Sequence, residues 1–167
     1  VVFSRFGVMF FDDPVAAFRN LLRALRPGGR LAFVCWQAGP LNPLMAVPMA
    51  AALQHMPMPS PPAPNAPGPF AFADAGRVRS ILEQAGFAAI AIEPRERDLA
   101  VAAGADLGGT VDFLLQLGPL GSALREADPS LRDRVAAAVR EAIAPFAAPG
   151  GGVRLGSAFT VVRATRP

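Results

Sequence analysis

The stretch from Val1 to Trp36 constrains the fold more than any other part of the chain. Val1-Val2-Phe3 is a short apolar, β-branched run. Asp13-Pro14 then marks a helix start, because an Asp side chain can accept from a first-turn N–H and Pro lacks the N–H that would be unpaired there. Beyond it, Val15, Phe18, Leu21, Leu22 and Leu25 share one face, with Arg19, Arg23 and Arg26 mostly outward, as in an amphipathic helix lying on a sheet. Pro27-Gly28-Gly29 stops the helix, and Arg30 to Trp36 is a continuous apolar run, the pattern of a strand covered on both faces. Strand, helix and strand in this order predict a right-handed βαβ unit with parallel strands. Ligands of open α/β sheets lie outside the carboxyl ends of such strands, so the loop from Ser4 to Phe11 and Trp36 are expected to border one crevice.

The 167 residues suffice for one core, and 52% hydrophobic with 17% charged residues describes a folded chain. Val1 is not Met and opens inside a run that reads as a buried strand, so further residues are expected upstream. All sixteen basic residues are Arg, which lifts the pI to about 10.8 although the net charge is only +3. They are scattered, and Arg95 and Arg97 flank Glu96, so a mixed-charge surface without a nucleic-acid partner is expected. One Cys and one His exclude an internal disulfide and a clustered structural zinc site, so no metal is expected, and a reducing cytoplasm fits. The longest apolar stretch, Leu41 to Leu53, is broken by Pro43 and Pro48 and falls short of the roughly 20 residues that span a bilayer.

From residue 37 to 72 prolines recur, leaving room for one helix, roughly Leu44 to Gln54. Met45, Met49, Met56 and Met58 suit either a lid over something apolar or core gap-filling. Asp74 caps a further helix with Val78, Ile81, Leu82 and Ala85 inward and Gly86 as its stop. Ala88 to Glu93 alternates as a strand, and Pro94 puts it at or near a sheet edge. Leu107 to Leu117 and Leu120 to Ala127 suit short helices. Asp128-Pro129 starts a longer one carrying Leu131, Val135, Ala138, Val139 and Ile143, and after a turn at Gly150-Gly151-Gly152, Ser157 to Ala164 forms the last strand. The expected organisation is one domain over 1–167, with a Pro-rich lid at 37–72 and a helical insertion at 99–149.

Ser4 to Pro14, the helix Phe18 to Leu25, the joint Arg26-Pro27-Gly28-Gly29-Arg30-Leu31 and the later Leu82-Glu83-Gln84-Ala85-Gly86-Phe87 together resemble the C-terminal half of a class I S-adenosylmethionine-dependent methyltransferase. The resemblance implies an α/β fold, the C-terminal half of a Rossmann-like sheet ending in an antiparallel strand. It also implies S-adenosylmethionine as cofactor and a small apolar or aromatic methyl acceptor. It places the cofactor beside Ser4, Arg5, Phe6 and Gly7. The family's glycine-rich loop and ribose-binding acid do not occur in these residues; Gly104 to Gly109 is not that loop, since it does not follow a strand in a βαβ unit. The chain alone is therefore expected to be inactive, and the uncovered edge of its first strand to favour poor solubility or a homodimer.

Met9, Phe10 and Phe11 either line a substrate pocket or anchor the helix, and Trp36 either stacks on a ligand or packs in the core. His55, the one His, is either an incidental loop residue or, for a hydroxyl acceptor, a general base. Asp12 and Asp13 read as helix-capping residues. Two rival readings remain at this point, a non-catalytic association module and another nucleotide-using Rossmann-like enzyme.

Overall fold

A computed structural model describes residues 1–57, 63 and 65–167. Met58, counted above with the lid, lies outside them. The fold is mixed α/β. In chain order it comprises β1 (Val2–Arg5), α1 (Pro14–Ala24), β2 (Arg30–Trp36), α2 (Pro43–Ala52), α3 (Ala75–Ala85), β3 (Ala88–Val101), α4 (Leu107–Leu114), α5 (Gly118–Leu124), α6 (Pro129–Ile143) and β4 (Val153–Thr165). The four strands form one sheet in the order β1-β2-β4-β3.

β1 and β2 run parallel, Val2 beside Leu31 and Arg5 beside Val34, as the βαβ reading requires. β4 is antiparallel to β2, with Arg30 opposite Thr165 and Trp36 opposite Phe159. Thr165 Oγ1 donates to the Ala88 carbonyl and Ser157 Oγ to that of Arg97, so β3 and β4 also run in opposite directions. β3 lies at the edge that Pro94 demands, but it continues through Pro94 to Val101 instead of stopping at Glu93. Residues 99–101 thus belong to the sheet, and the expected helices start at Leu107. An edge strand tolerates a missing N–H, which is why a proline inside the run does not end it.

Packing divides the chain into two compact units. The first comprises Val1–Gly39, Pro62–Glu96 and Ala158–Pro167; the second comprises Pro40–Pro61 and Arg97–Ser157. In the first, Leu31, Phe33 and Cys35 of β2 and Val162 and Ala164 of β4 are buried against α1 and α3 through Phe18, Val78, Ile81 and Leu82. Asp13 caps α1 by accepting from Ala16 N–H, and Asp74 caps α3 by accepting from Gly76 and Arg77 N–H. The alternate residues Ala32, Val34 and Trp36 are only half-buried, so the expectation of two equally covered faces is corrected: an unbroken apolar run shows that a strand is interior without showing that both sides are sealed. The carboxyl end of α1 is closed by Arg166, whose guanidinium donates to the carbonyls of Leu22, Arg23 and Leu25.

In the second unit α6 is the hub. Its Val135, Val139 and Ile143 are fully buried, and α2 and α4 pack on it. Asp128 accepts from Leu131 N–H and the Ser130 hydroxyl, which hold its carboxyl below the usual range. No described helix is long and apolar enough to cross a membrane.

Candidate functional site

The loop after β1 is tied into the first unit from several sides. Ser4 and Arg5 belong to β1 itself, so the loop begins two residues later than the sequence suggests. Phe6 extends the parallel ladder by one bond, its N–H donating to the Val34 carbonyl at 3.1 Å. Its backbone then turns through φ +56, a left-handed conformation that costs a non-glycine residue roughly 1–2 kcal/mol. The ring that results lies flat on Trp36, with centroids 3.8 Å apart and planes 10° from parallel. Phe159, paired with Trp36 across β2 and β4, meets Phe6 in a T-shaped arrangement, with ring centroids 6.4 Å apart and planes at 85°. Gly7 follows, where a Cβ would come within 3.1 Å of Ser4 Oγ.

Residues Val8–Phe10 form a 3-10 turn. Met9 is buried, and its sulfur accepts from the Trp36 backbone N–H at 3.5 Å. Phe10 is 52% exposed and Phe11 37%, the latter resting edge-on against the core ring of Phe18 at 6.2 Å. The end of the Pro-rich stretch joins the same region: Gly68 N–H donates to the Met9 carbonyl, and Phe72 stacks on Phe18. Beneath them the Cys35 thiol donates to the carbonyls of Phe72 and Thr160, and burial pushes its pKa up to about 12. Such a thiol packs as an apolar group and offers no nucleophile.

The structure thus brings together Phe6, Gly7, Met9 and Trp36 at the carboxyl ends of two parallel strands, with Phe10 and Phe11 on the following turn. His55 is exposed in the turn after α2, in the second unit. Phe159 and Gln37 were not singled out from the sequence. Gln37 bonds through its backbone N–H to Ala158 and through its side chain to the Phe159 and Arg95 carbonyls. Their only sequence signal was position, since the register that sets Phe159 opposite Trp36 cannot be counted before the start of β4 is known. The cluster is an aromatic wall without a carboxylate or imidazole. It can orient a flat or cationic ligand and shed water, but its own groups cannot move a proton.

Residues 1–33, which cover β1, α1 and the first half of β2, match the methyltransferase domain family. No curated protein matches the sequence. Solved structures that superpose on the chain include a candidate methyltransferase of Bacillus halodurans C-125, at 14% identity over 99% of this chain and 63% of that one, with a TM-score of 0.48. Phosphoethanolamine N-methyltransferase 2 of Haemonchus contortus, in complex with phosphomonomethylethanolamine and S-adenosylhomocysteine, superposes at 14% identity over 99% and 33%, with a TM-score of 0.42. The (4+2)-cyclase SpnF does so at 17% identity over 99% and 49%, with a TM-score of 0.41. The chain spans less than two thirds of the length of each of these proteins.

Proposed function

We propose that this chain serves as part of an S-adenosylmethionine-dependent methyltransferase acting on a small apolar or aromatic acceptor. The observation that carries the reading is the family match over residues 1–33, which falls on the strand-helix-strand unit with the parallel pairing of Val2–Arg5 to Leu31–Val34. In this reading Ser4, Arg5, Phe6 and Gly7 border the methionine end of the cofactor. Phe10, Phe11 and Trp36 face the acceptor, with Met9 fixed behind them.

The aromatic wall suits such a group, since uncharged ring faces attract a sulfonium cation and exclude water. When bound, S-adenosylmethionine supplies a methyl group on sulfur that is already a good leaving group. The residues of the chain are then asked chiefly to hold the acceptor in line, so the lack of a base in the cluster is no obstacle. Titration of S-adenosylhomocysteine into the chain, and into the product of the complete reading frame that encodes it, tests the reading by calorimetry. Saturable heat is expected from the latter; no heat at millimolar ligand overturns the assignment.

A second reading, a non-catalytic association module, is favoured by the open edge of β1, where Val1 is 78% and Phe3 82% exposed. It predicts a concentration-dependent dimer by sedimentation that Phe3→Lys abolishes, together with no binding of S-adenosylhomocysteine by either protein.

A further inference from the structure

Trp36 combines three properties. Its ring is half-buried in an aromatic cluster, and it stands at the carboxyl end of β2 beside the left-handed turn at Phe6. Its indole N–H has no hydrogen-bond partner among the described residues and is not fully buried. A Trp that packs structurally buries its ring and satisfies its N–H; one that keeps ring surface and donor both available can bind a matching ligand. Phe6 and Phe159 hold the ring in place, Phe6 by stacking on it and Phe159 by its T-shaped contact with Phe6.

We propose that Trp36, held in place by Phe6 and Phe159, is the acceptor-recognition surface, and that its ligand is a planar aromatic compound carrying a hydroxyl or carbonyl oxygen. The ring of the ligand stacks on the exposed aromatic surface, and its oxygen accepts from the Trp36 indole N–H. An aliphatic alcohol of the same size meets the donor but gains no stacking. An aromatic hydrocarbon stacks but leaves the donor to water. Calling this ligand the methyl acceptor rests on the methyltransferase reading; the surface itself does not.

Trp36 is the only Trp in the chain, so the protein labelled with nitrogen-15 has a single indole N–H resonance to follow. Phenol is expected to move that resonance saturably, toluene more weakly, and cyclohexanol not at all. Phe6→Leu and Phe159→Leu are expected to weaken phenol binding about two- to tenfold, the worth of one aromatic contact. Phe146→Leu, an exposed ring in the second unit, should leave it unchanged. Thermal melts of each variant show whether it is folded, and wild-type titrations carry the inference if a variant is not. A resonance that phenol does not move, or that cyclohexanol moves equally, overturns the proposal. If phenol binds while S-adenosylhomocysteine gives no heat with either protein, the methyltransferase reading fails and the aromatic site stands. The converse result sinks this inference alone.

Discussion

The Phe6 ring rests on the Trp36 indole at 3.8 Å only because the Phe6 backbone turns left-handed, at φ +56. The two effects oppose each other: the turn costs roughly 1–2 kcal/mol, and the stacked pair returns about 0.5–1.5 kcal/mol beyond its buried area. Replacing Phe6 with Gly removes both, whereas Phe6→Ala removes the stack and keeps the strain. Phe6→Gly should therefore be more stable than Phe6→Ala by about 1 kcal/mol in urea unfolding. Equal midpoints for the two variants would show that the backbone there is unstrained.

Arg166, next to the last residue, reaches back to the carbonyls of Leu22, Arg23 and Leu25. Three bonds from one cation reach the carboxyl end of α1, where the Leu22 carbonyl also accepts from the Leu25 N–H, and set a positive charge at the negative end of the helix dipole. Arg163 pairs with Glu93, but both side chains are substantially exposed and the pair is screened by water. Arg166→Gln should thus cost about 1–2 kcal/mol, a fall of roughly 2–8 °C in melting temperature for a chain of this size. Arg163→Gln should shift it by less than about half as much. A larger loss from Arg163→Gln than from Arg166→Gln, measured by calorimetry, contradicts this account.

Local signals in the sequence were sufficient where one residue's chemistry decides the structure. Asp13, Asp74 and Asp128 mark helix starts because each carboxylate accepts from N–H groups within its own first turn, and Gly86 ends α3 because the chain must pass through φ +96 there. The parallel pairing of β1 and β2 followed from the helix between them. What was not legible depends on pairing at a distance. β3 runs past Pro94 only because its neighbour β4 starts as early as Val153, and no local pattern reports that. The same gap hid Phe159, whose place opposite Trp36 is set by the register of β4. Met9 was singled out among three apolar residues of one loop, and the sequence could not tell which of them would turn inward; the Trp36 N–H bonded to its sulfur is a tertiary contact.

Burial holds the Cys35 thiol neutral up to about pH 12, against an ordinary value near 9. Its folded pKa is raised, so the neutral thiol adds stability that is fully present below about pH 9 and is lost as pH climbs toward the folded value. In that window the unfolded chain has released a proton that the folded chain keeps, and stability should fall by up to about 1.4 kcal/mol per pH unit. Urea midpoints at pH 7, 9 and 10.5 should show the decline for the wild-type chain and a much flatter profile for Cys35→Ala. A parallel decline in both would place its origin in other groups. The same burial predicts that iodoacetamide at pH 8 leaves the folded protein unmodified and labels it once urea is added.

Gly28 and Gly152 share a backbone angle, φ +71, in different surroundings. A Cβ at Gly28 meets nothing within 4 Å, whereas at Gly152 it would lie 2.3 Å from the Val101 carbonyl oxygen and 2.8 Å from that of Ala102. Both contacts are with backbone, which cannot rotate aside as a side chain would. The Gly152 N–H also donates to the Ala105 carbonyl at 2.8 Å, so moving the turn outward sacrifices that bond. Gly28→Ala should therefore cost only the left-handed penalty, about 1–2 kcal/mol. Gly152→Ala should add steric displacement to the same penalty and cost roughly 3–4 kcal/mol. Because the conformational term is common to the pair, the difference between the two urea midpoints isolates the close packing of the glycine turn against residues 101–105. Similar losses in the two variants would mean that the turn yields easily and that φ alone demands glycine at both positions.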